Sequence, residues 1–131
     1  MPSSTLDNEI IIDRPPEIVK AVFMDWPRYP LWNPFITSDD IKPCMNFTPQ
    51  LLINNSSEFR WVCSVFGKWF LAGEHCFQFL SFDNGTKTRF VQGECFTGLG
   101  VSVFKLMVSV ENTRKGFIAM NEALKKEAEA K

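Results

Sequence analysis

Histidine occurs once in this chain of 131 residues, and tyrosine once. A Ser-His-Asp triad would have to be built on that one imidazole, and no such set assembles around it. Cysteine occurs four times, at Cys44, Cys63, Cys76 and Cys95, and never as C-x-x-C. With a single histidine beside them, no metal site is expected. No apolar run approaches the length of a bilayer span, so no membrane crossing is expected. The start, Met1 to Asn8, is polar and lacks the apolar segment of a secretory signal. A cytoplasmic, reducing setting is therefore expected, with the cysteines as small buried apolar residues. Lysine and arginine are scattered and the net charge is −1. The basic footprint that nucleic-acid binding requires is missing. Gly98-Leu99-Gly100 lacks the Gly-x-Gly-x-x-Gly spacing of a phosphate loop and reads as a strand-to-helix joint. There is no internal repeat and no low-complexity tract, and nothing calls for a cofactor.

What the chain does have is phenylalanine, thirteen of them, within a hydrophobic fraction of 45%. Such rings favour burial, in a core or around an apolar ligand, over hydrogen bonding. The length suits one domain, residues 1–131, with a core of its own.

The chain is organised around a hairpin from Gly73 to Gly98, turning at Asp83-Asn84-Gly85-Thr86. Asn-Gly between alternating runs is a strong hairpin signal, because both residues tolerate the positive φ of a type I′ turn. With Asn84-Gly85 as a two-residue loop, Phe79 faces Phe90, Phe77 faces Gln92 and His75 faces Glu94. One face then carries these six residues and Phe96, an aromatic wall with three polar groups set into it. A bulge at Gly85 would shift the register by one and dissolve the His75–Glu94 pair.

The rest of the chain follows in order. Residues 1–7 read as a loose terminus and Asn8 to Asp13 as a short strand. Pro16 suits the first turn of a helix running to about Asp25. Ile18, Val19, Val22, Phe23 and Trp26 share its apolar face. Three prolines between Asp25 and Phe35 forbid a long helix there, and the aromatic residues of that link plug the core or cover a pocket. Met45 to Ile53 reads as a strand, placed at an edge or a bulge by Pro49. Glu58 to Val65 alternates, with Phe59, Trp61, Cys63 and Val65 on one face. From Val103 the period changes to 3.6, and one long helix is expected over about 101–129, with a bend near Gly116. It is the one element long enough to cover the sheet.

Taken together, these pieces resemble the START/polyketide-cyclase superfamily (SRPBCC), in its polyketide cyclase/dehydrase-like branch. The resemblance is carried by Ile12-Asp13-Arg14-Pro15-Pro16-Glu17-Ile18-Val19, by the link from Asp25 to Phe35, and by Phe59-Arg60-Trp61. It continues through Gly73-Glu74-His75-Cys76-Phe77, Gln92 to Gly98 and Gly116 to Lys125. It implies an α+β helix-grip fold: a curved antiparallel sheet wrapped on a long C-terminal helix, with short helices after the first strand. It also implies an apolar cavity between sheet and helix that takes lipids, isoprenoids or polyketide-like molecules. Some members catalyse cyclisation or dehydration, and no catalytic residue is carried over. The family has room for a hairpin where only Ile36 to Cys44 stands here. About five strands are therefore expected, with Met45 to Ile53 near a bare edge. That edge is the candidate homodimer contact.

The expected ligand is a hydrophobic or amphipathic small molecule. Its expected lining is Phe77, Phe79, Phe90 and Gln92 from the hairpin, with Trp61, Trp32, Phe117 and Met120. His75 and Glu94 are the candidate acid–base pair, against a plainer reading in which each satisfies the other across the strands. Arg60 anchors a carboxylate if its face is inward and is a solvated arginine if it is not.

Overall fold

The computed structural model describes residues 3–34, 50–65, 67–102 and 110–131. The expected segments Ile36–Cys44 and Met45–Pro49 lie outside them, as do 103–109. Five strands form one antiparallel sheet among the described residues, in the order β1-β5-β4-β3-β2. They are β1 (Ser3–Ile12), β2 (Gln50–Asn54), β3 (Glu58–Val65), β4 (Leu71–Phe82) and β5 (Lys87–Thr97). Helix α1 (Pro16–Met24) follows β1, then a 3-10 turn (Trp26–Arg28) and the short α2 (Tyr29–Trp32). Helix α3 (Val110–Glu129) closes the chain, and Val101 and Ser102 are already helical. Helix assignment is continuous through Gly116. No helix among the described residues is long and apolar enough to cross a membrane.

The β4–β5 hairpin has the expected register, with His75 opposite Glu94, Phe77 opposite Gln92 and Phe79 opposite Phe90. Asn84 and Gly85 have φ of 55° and 82°, as a type I′ turn requires. The Thr86 amide donates to the Asp83 carbonyl at 3.2 Å. The first strand is longer than its apolar core suggests. Ser3 to Asp7 is not a loose end but pairs with Gly93 to Thr97, and the ladder continues to Ile12 opposite Thr88. Its polar residues satisfy their backbone on β5, a source of order that hydrophobic patterning does not register.

Side chains of even and odd number on β3 and β4 point to opposite faces. The inner face carries Phe59 and Trp61 from β3, and Gly73, His75, Phe77 and Phe79 from β4. Arg60 is on the outer face. There it pairs with Glu58 at 2.8 Å and Glu74 at 3.3 Å, with the Cys76 thiol 3.0 Å from Glu58. The hydrogen bond from Cys76 and the guanidinium of Arg60 hold Glu58 below the usual carboxylate range. Burial pushes the Cys76 thiol up to about 11, so it stays protonated. Cys76 and Cys95 are not in disulfides. Cys63 is disulfide-bonded, which differs from the expectation of reduced cysteines throughout.

Helix α3 lays Phe117, Met120, Asn121, Leu124 and Ala128 toward the interior, all essentially inaccessible to water. Their spacing is that of one helical face. The far end of α3 is clamped to the β1–α1 junction. Arg14 donates to the carbonyls of Glu129, at 2.7 Å, and Lys131, at 3.1 Å. The Asp13 amide donates to Glu129 Oε1 at 2.9 Å. A cation on the last carbonyls of a helix opposes the negative end of its dipole. Helix α1 enters the same core through Phe23, which packs edge-on or tilted against Phe77 at 4.6 Å and Phe79 at 5.2 Å. The link after α1 divides its aromatics. Tyr29 is buried and donates its hydroxyl to the Phe23 carbonyl, while Trp26 and Leu31 are exposed.

Candidate functional site

The pairing of strands lays the inner-face side chains in rows across the sheet. Nearest the hairpin turn run Phe79, Phe90 and Ile10; next come Phe59, Phe77, Gln92 and Asn8. The third row is Trp61, His75, Glu94 and Leu6, and the fourth is Cys63, Gly73 and Phe96. On the two central strands burial falls along this series. Phe79, Phe90, Phe77, Gln92 and His75 are buried, whereas Glu94, Gly73 and Phe96 are only partly so. The turn end is filled by Phe23 and the face of α3, and the other end is looser.

A hydrogen-bonded line of amides runs through the second and third rows. His75 Nε2 lies 3.0 Å from Gln92 Oε1. Gln92 Nε2 donates to Asn121 Oδ1 at 2.8 Å, and Asn121 Nδ2 donates to Asn8 Oδ1 at 3.0 Å. Gln92 and Asn121 each accept on the oxygen and donate from the nitrogen, and the Asn8 oxygen accepts at the end of the line. Buried polar groups need such partners, because one orphan would cost about 1–3 kcal/mol. His75 Nδ1 faces Glu94 Oε2 at 3.5 Å.

The imidazole is boxed in on its faces as well. Its ring is stacked 4.3 Å from Phe77, 5.1 Å from Phe117 and 5.8 Å from Trp61. Burial lowers the His75 pKa to about 4, against a smaller opposing effect of the Gln92 hydrogen bond. Burial also pushes the Glu94 carboxyl up to about 7. Both shifts disfavour charge in a low-dielectric place. At neutral pH the ring is therefore neutral, and the carboxyl beside it is poised to hold or release a proton.

His75, Gln92, Glu94, Trp61 and Phe117 thus meet in one cluster, as the sequence places them. Phe77 adjoins it by its ring. Phe79, Phe90 and Met120 lie deeper, in the core with Phe23, Val19 and Leu124. Trp32 is not part of the cluster. It packs edge-on to Tyr29 at 4.9 Å and lines a separate groove of about 260 Å³ with Ile18, Val22, Arg28 and Glu127. Asn121 and Asn8 complete the polar line and were not among the expected site residues. Their signal in the sequence is slight: each is a single polar residue at an inward position of an otherwise apolar face.

No protein-family model and no curated protein sequence matches the chain. Solved structures do resemble it in shape. A norcoclaurine synthase point mutant from Thalictrum flavum, in complex with a transition-state analogue, is similar with a TM-score of 0.64. Its identity is 8%, over 96% of this chain and 94% of that one. A START superfamily protein from Mycobacterium smegmatis gives 0.63 at 15% identity, over 96% and 97%. The Zhui aromatase/cyclase from Streptomyces sp. R1128 gives 0.53 at 12%, over 97% and 94%.

Proposed function

We propose that this chain, which has the helix-grip fold of the START/polyketide-cyclase proteins, acts as a single domain binding a hydrophobic or amphipathic small molecule between sheet and C-terminal helix. The observation that carries the reading is the fall in burial from Phe79 and Phe90 to Glu94, Gly73 and Phe96. It leaves an ionisable carboxyl at the loose end of an otherwise aromatic wall. Apolar area with a few convergent polar groups is the usual make-up of a ligand site. Trp61 and Phe96 supply the apolar area, with Phe117 behind them, and Glu94 supplies the polar contact.

A second reading is an enzyme of the cyclase or dehydratase kind, with His75 as acid or base and Glu94 orienting it. It is favoured by the 3.5 Å approach of the pair, since a tuned acid–base pair in an enclosed site is what proton transfer requires. A docking role through the sheet edge is favoured by exposed Leu51 and Leu52 on β2. The partner there would be a second copy of this chain.

The test is native mass spectrometry of protein purified from its own source, followed by organic extraction. A small molecule released on denaturation supports the binding reading and gives its chemical class. A clean apo monomer moves weight to an enzyme with a transient substrate, and a clean apo dimer to the exposed edge. Cytoplasmic residence belongs to this proposal and has its own check in the thiols. Without reductant, the denatured protein should alkylate at Cys76 and Cys95 in either setting, and at Cys63 only if the compartment is reducing.

A further inference from the structure

Resting on the ligand site proposed above, we infer that Glu94, not His75, is the group that meets the ligand, and that His75 is a positioning residue held in one tautomer by Gln92 and Asn121. The roles are thus the reverse of those in the acid–base reading. The imidazole has no free edge or face for a ligand. Its Nε2 is taken by Gln92 at 3.0 Å and its Nδ1 faces Glu94 at 3.5 Å. Phe77 and Phe117 stack on its ring, and its side chain is 7% exposed against 20% for Glu94.

Glu94, by contrast, is only partly covered. Its described partner is His75 alone, through Oε2. Its other oxygen, Oε1, lies over Gly73, where an added Cβ would come within 2.9 Å. The absent side chain at position 73 lets the carboxyl lie against the strand there, while a fifth of the Glu94 side chain stays open to solvent. Phe96 packs on the same glycine, with its ring edge 3.3 Å from that Cβ position. The fitting ligand has an apolar body and one hydrogen-bond donor, a hydroxyl or an N–H, aimed at Glu94 Oε1.

The direction of the amide line sets the proton on the ring. Gln92 presents its oxygen to His75 because its nitrogen is engaged by Asn121, and Asn121 presents its oxygen because its nitrogen is engaged by Asn8. Nε2 must then be the protonated nitrogen, and Nδ1 offers a lone pair to Glu94. A protonated Glu94 donates to that lone pair through Oε2 and keeps Oε1 as an acceptor for the ligand. Of the described titratable side chains, Glu94 is the one paired with the ring; the neighbours from β3 and α3 are Trp61, Phe117 and Asn121.

His75 is the sole histidine, so nitrogen-15 long-range spectra of the uniformly labelled protein report on it without assignment. The expected result near neutral pH is the Nε2–H tautomer alone. Asn121→Ala should yield a mixture of tautomers, and Asn121→Asp, which keeps an acceptor for Gln92, should restore the single form. An Nδ1–H tautomer in the unaltered protein, or no change in Asn121→Ala, overturns the positioning role. The ligand contact is read with N-phenyl-1-naphthylamine, an apolar fluorescent probe with one N–H donor. Glu94→Leu should weaken its binding about tenfold or more, the worth of a hydrogen bond to an ionisable group, and His75→Gln about threefold. The opposite ranking, or equal losses, overturns the assignment to Glu94. If the unaltered protein takes up no probe and yields no extractable molecule, the binding reading itself has failed, and the tautomer spectra still decide whether His75 is locked.

Discussion

A buried histidine beside a partly buried carboxyl gives the stability of this protein an unusual dependence on pH. In the folded chain His75 titrates near 4 and Glu94 near 7, both displaced by burial. Unfolded, they return to 6.5 and 4.5. Between pH 4.5 and 6.5 the pair binds one proton in either state, so its contribution to stability is flat there. Removing one partner exposes the other. Glu94→Gln leaves the lowered histidine, whose contribution is complete above pH 6.5 and is lost as pH falls toward 4. His75→Gln leaves the raised carboxyl, whose contribution is complete below pH 4.5 and is lost as pH rises toward 7. Relative to the parent, urea titrations across this window should show slopes of opposite sign, each at most about 1.4 kcal/mol per pH unit. Parallel curves would mean that the two groups are not buried together. Which phenylalanine matters for which purpose also belongs to this scale. Composition shows thirteen equivalent rings, and alternation assigns them to a face, but neither separates wall from core. That division is made by Phe23, which arrives from a helix more than fifty residues away in the chain and fills the space against Phe77 and Phe79. Phe90→Ala should cost about 3–5 kcal/mol as a core truncation, and Phe96→Ala distinctly less, by the same denaturation assay.

The hairpin was the most legible element, because its turn chemistry and its alternation specify one register together. The C-terminal helix was legible from its period alone. Asn121 was not, since one amide within an apolar stripe reads as tolerated irregularity until its partner on β5 is known. The extension of β1 to Ser3 was hidden for a similar reason, its order coming from backbone pairing with β5. Arg14 shows what local patterning misses at the junction of elements. It looks like a linker residue, yet it gathers the last carbonyls of α3 from the far end of the chain. Arg14→Ala should lower stability by about 1 kcal/mol and shift the melting temperature by several degrees. The loss should persist at high salt in the part due to hydrogen bonding and shrink in the part due to the helix dipole. An unchanged melting temperature would remove the clamp from the account.

At the scale of the molecule, the α+β layout with one sheet and a covering helix followed from element order, and solved structures match that fold over nearly the whole chain. The site was legible as a cluster but not as a gradient, because burial depends on what lies across from each row. That gradient divides the sheet in time as well as in space. The amides beside Phe79 and Phe90 sit where the packing is densest, and they should exchange with deuterium only when the whole chain opens. Those of Gly73 and Phe96, a few residues along the same two strands, should exchange through a shallower opening. Mass-resolved exchange on the apo protein would show protection declining from the turn toward the ends of β4 and β5. A bound ligand should raise protection at those ends and leave the turn as it was. The same two strands would then serve as a permanent spine at one end and as a reversible clasp at the other.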